Sequence, residues 1–222
     1  MPDGSVPNVL PYDLPDAVLL EASEEPMRCL VWQPECVMVV IGKGSDPALE
    51  VNVEAVAKDL IPVVRRGTGG CAVVLSRKML VASFVVRQER QLPSREYFRL
   101  FNSLIVEALS RQGIEGFEHK GTSDIAINGR KIAGTAIYRN RNLVFFHAII
   151  NVAGGTDAME KYLKVPPRMP GYRLGRSHSD FVISLAEQGY AFDAERFASD
   201  VQCLFDAARP DLLSSTSRTV EP

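Results

Sequence analysis

SDIAINGRKIAGTAIY, Ser123 to Tyr138, is the stretch that sets the architecture. Two β-prone runs meet at Asn128-Gly129, the strongest short-range hairpin signal, because both turn residues tolerate positive φ. Strand alternation then decides which side chains share a face. Lys131, Ala133 and Thr135 fall on one face and Ile132 on the other. The lysine's face is otherwise small, and Gly134 lets a ligand approach the backbone closely. Asp124, on the preceding strand, can reach the same region. A solvent-facing lysine is the ordinary outcome for a strand, so spacing alone gives Lys131 no role.

More strands lie on both sides. LVFFHAIINV (143–152) follows the turn RNRN, which implies a further hairpin. MRCLVW (27–32), CVMVVIG (36–42), IPVVRR (61–66), CAVVLS (71–76) and MLVASFVVR (79–87) complete the set, the last two reading as a hairpin. DPALEVNVEAVAKDL (46–60) reads as one helix, capped by Asp46 and opened by Pro47. The clearest helix is PSREYFRLFNSLIVEALSRQG. Its apolar positions are Phe98, Phe101, Leu104, Ile105 and Ala108, with Ser94 as N-cap and Gly113 as the stop. Shorter helices are expected at Pro15–Ala22 and in DAMEKYLKV, and a terminal one in DAERFASDVQCLFDAARP. Strands thus come in meanders and hairpins. The fold class is α+β, with mixed, mostly antiparallel β-sheets and flanking helices. A single domain is expected over 1–210, with a disordered tail at 211–222 and no C-terminal accessory domain.

Of the 222 residues, 46% are hydrophobic, enough for a substantial core. The net charge of −2 carries no basic excess, which argues against non-specific nucleic-acid binding. No apolar run approaches the length of a membrane span, and the N-terminus lacks the basic start of a signal peptide. Cys29, Cys36, Cys71 and Cys203 show no metal-binding spacing, and His119, His147 and His178 are scattered. A cytoplasmic protein with reduced cysteines is expected.

Three further segments can carry chemistry. VVRRGTGGCAVV (63–74) joins two strands through Gly67, Gly69 and Gly70. Its backbone N–H groups and Arg65 or Arg66 suit an anion, although neither the P-loop nor the GxGxxG spacing is present. His147 sits inside an apolar strand, where a hydrogen-bonded core histidine is the commoner outcome. YRLGRSHSDFV crowds Arg173, Arg176, Ser177, His178 and Ser179 into one loop, which is either solvated or able to close over an anionic ligand.

Taken together and in order, these segments resemble the biotin/lipoate A/B protein ligase family, and most closely its lipoate–protein ligase branch. The family's RRxxGGGAV-type loop is matched by Arg65-Arg66-Gly67-Thr68-Gly69-Gly70-Cys71-Ala72-Val73. Its [ND]-D-[IL]…GRK[IV][SA]G[ST]A segment is matched by Ser123-Asp124-Ile125 and by Gly129 to Ala136. His147, Tyr162-Leu163, Pro166-Pro167, the stretch around Trp32, Ile41-Gly42 and Glu50-Val51-Asn52, and GRSHSDFVISL add to it. The similarity runs over about residues 30–185. Three features depart from the family: Cys71 replaces the third loop glycine, Ser123 replaces the usual asparagine, and the chain ends soon after one last helix.

The resemblance implies a ligase catalytic-domain fold with an acyl pocket beside the glycine loop. It also implies activation of lipoate or octanoate by ATP and Mg²⁺, and transfer of the acyl group to a lipoyl-domain acceptor of the glycine cleavage H protein or E2 subunit type. A separate accessory domain protein would be a possible further partner. Lys131 takes the catalytic place. Arg66, Thr68, Gly69, Gly70, Cys71, Ala72, Asp124, Gly134, Thr135, Ala136 and His147 take binding places, and Asp124 also that of a Mg²⁺ ligand. The family's transferase branches instead use a cysteine nucleophile without ATP. Neither FEHKGTSDI nor KVPPRMPG, where those cysteines would stand, contains one. Cys71 is the one cysteine near the expected pocket.

Overall fold

The computed structural model describes residues 8–166 and 168–213. Among the described residues ten strands form two sheets. The larger is wholly antiparallel, in the order β2 (Met27–Trp32), β6 (Met79–Arg87), β10 (Leu143–Asn151), β9 (Arg130–Arg139), β8 (Asp124–Ile127), β7 (Phe117–Lys120). The smaller is mixed, in the order β1 (Val9–Leu10), β4 (Val63–Arg65), β3 (Met38–Ile41), β5 (Val73–Leu75). Here β4 is parallel to both neighbours and β3 is antiparallel to β5.

Helices α3 (Ser94–Ser110) and α6 (Ala194–Ala207) cover one face of the large sheet. Their apolar stripes bury Phe101, Ile105, Phe197, Val201 and Phe205 with Phe84 and Phe146 of the sheet. The aromatic rings interlock, Phe84 stacking on Phe101 at 5.1 Å and Phe146 lying tilted against Phe101 at 4.9 Å. The sheets meet through Trp32 and Val81 of one against Met38, Val40, Val64 and Leu75 of the other. Helices α1 (Pro47–Glu50), α2 (Val53–Lys58), α4 (Asp157–Tyr162) and α5 (His178–Phe181) are short, and α7 (Arg209–Leu213) ends the described chain.

The α+β class, the Asn-Gly hairpin and the long helix stand as expected; Asn128 and Gly129 have φ of +52° and +69°. Four local expectations do not. The 71–76 and 79–87 strands are not a hairpin. Ser76–Lys78 carries the chain from one sheet to the other, where β5 pairs with β3 and β6 with β2 and β10. The 46–60 helix is two helices. It breaks at Val51, which bridges to Leu163, and Asn52 caps the second piece through Ala55 N. Ser94 is the first residue of α3 and not its cap; Pro93 holds that place without a side-chain bond. The tail does not begin at 211, since α7 runs to Leu213 and buries Leu212. The rest of the expected tail, 214–222, and Pro167 lie outside the described residues.

Candidate active site

The Gly67–Ala72 loop between β4 and β5 is organised by its own two arginines. Arg65 NH1 donates to the carbonyls of Gly42, Lys43 and Ser45. Arg66, 4% exposed, donates from Nε and NH2 to Gly69 O, from NH2 to Cys71 O and from NH1 to Val40 O. Burial lowers its pKa to about 10, so it stays charged at neutral pH. Its guanidinium thus folds the loop around itself. Gly42 sits beneath, so close that a Cβ there would lie 2.1 Å from Gly70 O. Glu50, 5% exposed, accepts the Ala72 N–H at 2.5 Å and closes the far end of the loop.

The β8–β9 hairpin carries a β-bulge that overturns simple alternation. Ala126 pairs with Lys131, but Ile125 pairs with Ala133, so Ile132 is an extra residue. Ile132 and Ala133 both enter the main core. Beyond the bulge the faces are exchanged. Lys131 does not share a face with Ala133 and Thr135; it lies over Gly134, whose Cβ position is 2.6 Å from Lys131 Nζ. Gly134 and Ala136 pair with Ile149 and His147 of β10, and all four line one cavity. Lys131 Nζ is 2.8 Å from Asp124 Oδ1, and Tyr172 donates to Asp124 Oδ2 at 2.8 Å. Arg130 leaves the site and braces the carbonyls of Ser179 and Val182.

His147 is buried and its Nε2 meets Thr68 Oγ1 at 3.1 Å, tying the large sheet to the glycine loop. Burial, aided by the charge of Arg66, depresses its pKa to about 3 from an ordinary 6.5. Between those values the unfolded chain holds a proton that the folded chain lacks, so stability falls as pH drops through the window. Melting temperatures measured from pH 7 to pH 4 should therefore decline, and His147→Gln should decline less steeply. Equal slopes would contradict a neutral, buried His147.

A cavity of about 530 Å³ opens between the loop, the hairpin and the 166–182 segment. Of the residues given site roles, Arg66, Gly70, Cys71, Ala72, Asp124, Lys131, Gly134, Thr135, Ala136 and His147 line it; Thr68 and Gly69 do not. Thr68 lies behind the wall with His147, and Gly69 offers its carbonyl to Arg66. The Cys71 thiol donates to Arg168 O, and burial together with the Glu50 charge pushes its pKa up. That keeps it protonated and a poor nucleophile. Glu50 and Tyr172 are site residues that strand and turn patterns did not single out for these contacts, whereas Arg173 belongs to the loop read as either solvated or able to close over an anionic ligand. Among the described residues no group of three or more His, Cys, Asp and Glu could hold a metal ion, and no helix is long and apolar enough to cross a membrane.

A sequence model of the lipoyl protein ligase A/B catalytic domain matches residues 11–206. The chain belongs to this family. Lipoate-protein ligase LplJ of Bacillus subtilis is 31% identical over 66% of the chain and 42% of LplJ. The octanoyltransferase LipM of Kyrpidia tusciae is 24% identical over 77% of the chain and 70% of LipM. Among solved structures, that of a bi-partite lipoate protein ligase and its E2 lipoyl domain from Thermoplasma acidophilum superposes with a TM-score of 0.74. It is 20% identical and covers 90% of this chain and 82% of the other. Lipoate-protein ligase A bound with ATP gives 0.66 at 20% identity, covering 89% and 78%. Against LplJ the chain spans less than half of the relative's length. In this chain the glycine loop and the GRK hairpin line one cavity.

Proposed function

We propose that the chain is a lipoate–protein ligase that activates lipoate or octanoate with ATP and passes the acyl group to a lysine of a lipoyl domain, of the glycine cleavage H protein or E2 subunit type. The observation that carries this is the Lys131–Asp124 pair on the wall of a cavity whose other wall is the glycine loop. In the first step a carboxylate oxygen attacks the α-phosphorus of ATP and pyrophosphate leaves. Both reactants are anions, so a lysine between them lowers their repulsion and stabilises the charge that builds at phosphorus. In the second step the acceptor lysine's amine attacks the acyl carbonyl and AMP leaves. The apolar part of the wall, with Val73, Met79, Ile149 and Leu163, suits the acyl chain at about 0.8 kcal/mol per buried methylene.

The protein offers Mg²⁺ no cage. Asp124 is one carboxylate, with Lys131 and, at 3.5 Å, Ser123 Oγ on Oδ1 and Tyr172 on Oδ2, which keeps a second lone pair. This fits a Mg²⁺ held mainly by nucleotide phosphates with one carboxylate beside it, where the cation would offset phosphate charge. The reaction belongs in the cytoplasm, where free Cys29, Cys36, Cys71 and Cys203 remain thiols.

The test is to supply ATP, Mg²⁺, octanoate or lipoate and an apo lipoyl domain, with and without a candidate accessory protein. Acylated domain in the mass spectrum and stoichiometric AMP are expected; their absence in every combination would sink the reading. Gly134→Ala probes the lysine's placement in the same assay. The new Cβ meets Lys131 Nζ at 2.6 Å and Cε at 2.7 Å, the flexible end of a side chain. The lysine swings away from Asp124, and the surrounding backbone need not move. Acyl transfer should fall at least tenfold, while parting the lysine from the buried Asp124 carboxylate costs about 1–3 kcal/mol, a melting temperature lower by roughly 2–4 °C for each kcal/mol. Unchanged kinetics would show that Lys131 is not held where the chemistry needs it.

A further inference from the structure

The ionisable groups on the cavity wall do not balance. Lys131 is offset by Asp124 at 2.8 Å. Arg66 is spread over loop carbonyls, with Glu50 close enough to favour its charge. Lys120, at the rim, pairs with Glu118. Lys164 and Arg168, also on the wall and without an ion pair among the described residues, are exposed; Arg173 is buried. It is 4% exposed, lines the cavity, and makes no ion pair among the described residues. Its Nε donates to Arg176 O at 2.9 Å and its guanidinium lies 5.0 Å from the centre of the Phe181 ring. These contacts fix the plane of the group and leave its outer edge unengaged; NH2 is buried without a hydrogen-bond partner.

The one acid near it does not relieve this. Glu160 favours the charge on Arg173 from a distance, but its oxygens take the Ser179 N–H and His178 Nδ1. His178 adds no negative charge, and Arg176, stacked on the same Phe181 ring, adds a like one. A buried cation costs free energy unless something pairs with it, and a guanidinium edge is shaped for two oxygens of one anion.

We propose that Arg173 is the oxyanion receptor of this cavity, holding a carboxylate or phosphate oxygen pair of the bound ligand beside Lys131. It is a specificity-determining residue: it selects ligands that carry an oxyanion over neutral ligands of the same shape. That the ligand is an acyl acid or its nucleotide partner rests on the reading above; that it is an anion rests on Arg173 alone. The 170–176 segment therefore presents two groups to the site, Tyr172 to Asp124 and Arg173 to the ligand.

Binding without turnover tests this. Octanoate, octanamide, ATP and inorganic pyrophosphate are titrated calorimetrically into the wild-type chain and into Arg173→Gln. A charge-assisted pair makes the expected loss at least about tenfold for the oxyanion that Arg173 holds, with octanamide unchanged. Loss confined to octanoate assigns the carboxylate; loss confined to ATP and pyrophosphate assigns a phosphate. If both proteins bind all four probes alike, or the wild type binds octanoate no tighter than octanamide and binds no phosphate probe, the proposal falls. Should Arg173→Gln fail to fold, Arg173→Lys is read the same way. It keeps charge without the paired edge, so the oxyanion probe should weaken a few-fold, and an unchanged affinity overturns the idea. A chain that shows the Arg173-dependent binding and yet acylates no lipoyl domain would sink the ligase reading and leave this one intact.

Discussion

Lys131→Met should lower the rate of acyl transfer by about 10²–10³-fold, the usual loss when one preorganised charge donor at a reacting centre is removed. The argument starts from geometry. A bulge at Ile132 turns Lys131 onto the face of Gly134, Ala136, His147 and Ile149, and Asp124 anchors its ammonium at 2.8 Å. The substitution removes the cation and leaves Asp124, whose side chain is 7% exposed, with Tyr172 as its main remaining partner. A buried carboxylate so stranded costs about 1–3 kcal/mol, which lowers the melting temperature by roughly 2–4 °C per kcal/mol for a chain of this size. The fall in rate and the fall in stability must therefore be separated. Lys131→Met with Asp124→Asn removes both charges, and it should melt close to the wild type while remaining inactive. If instead either variant keeps more than a tenth of the wild-type rate, Lys131 is not the group that stabilises the reacting charge.

How much of this was legible in the sequence depends on how local the cause is. The Asn128-Gly129 turn was legible because positive φ at two successive residues is a property of those residues themselves. The face of Lys131 was not, because a bulge is a two-against-one mismatch between strands and no residue type near Ile132 announces it. Likewise Val73–Leu75 and Met79–Arg87 read as strands from their own composition, but which sheet each joins is decided by distant partners. The break at Asn52 was half legible: asparagine is a natural cap, yet the bridge from Val51 to Leu163 that makes the break useful spans 112 positions by their numbering. At the site, the motifs located the two walls. Thr68 and Gly69 fell off the wall because Arg66 and His147 draw them inward, and Arg173 entered because only the packed structure shows that its charge has no partner.

Gly42→Ala should be the most damaging of the glycine substitutions to the fold. The backbone φ at Gly42 is not in the left-handed region, so the cost is purely steric. The added Cβ would sit 2.1 Å from Gly70 O and 3.2 Å from both Gly70 C and Ser45 Oγ. Two of those three atoms are backbone, which cannot swing aside as a lysine tip can. Nor is the neighbourhood loose: Gly42 N is bound to Ser45 Oγ, Gly42 O to Arg65, and Lys43 N to Thr68 O. Relief must come from moving the Gly70 carbonyl, and with it the Cys71–Ala72 peptide that Glu50 holds. Overpacking of this kind costs about 1–3 kcal/mol, or a melting temperature lower by roughly 2–4 °C for each kcal/mol. Because the displaced atoms are the cavity's own wall, octanoate binding should weaken in parallel. Gly44→Ala is the control, since a Cβ there meets nothing within 4 Å. Melting curves of the two variants decide the matter: a Gly42→Ala protein as stable as Gly44→Ala would mean that the glycine loop is not seated on Gly42 as the structure shows.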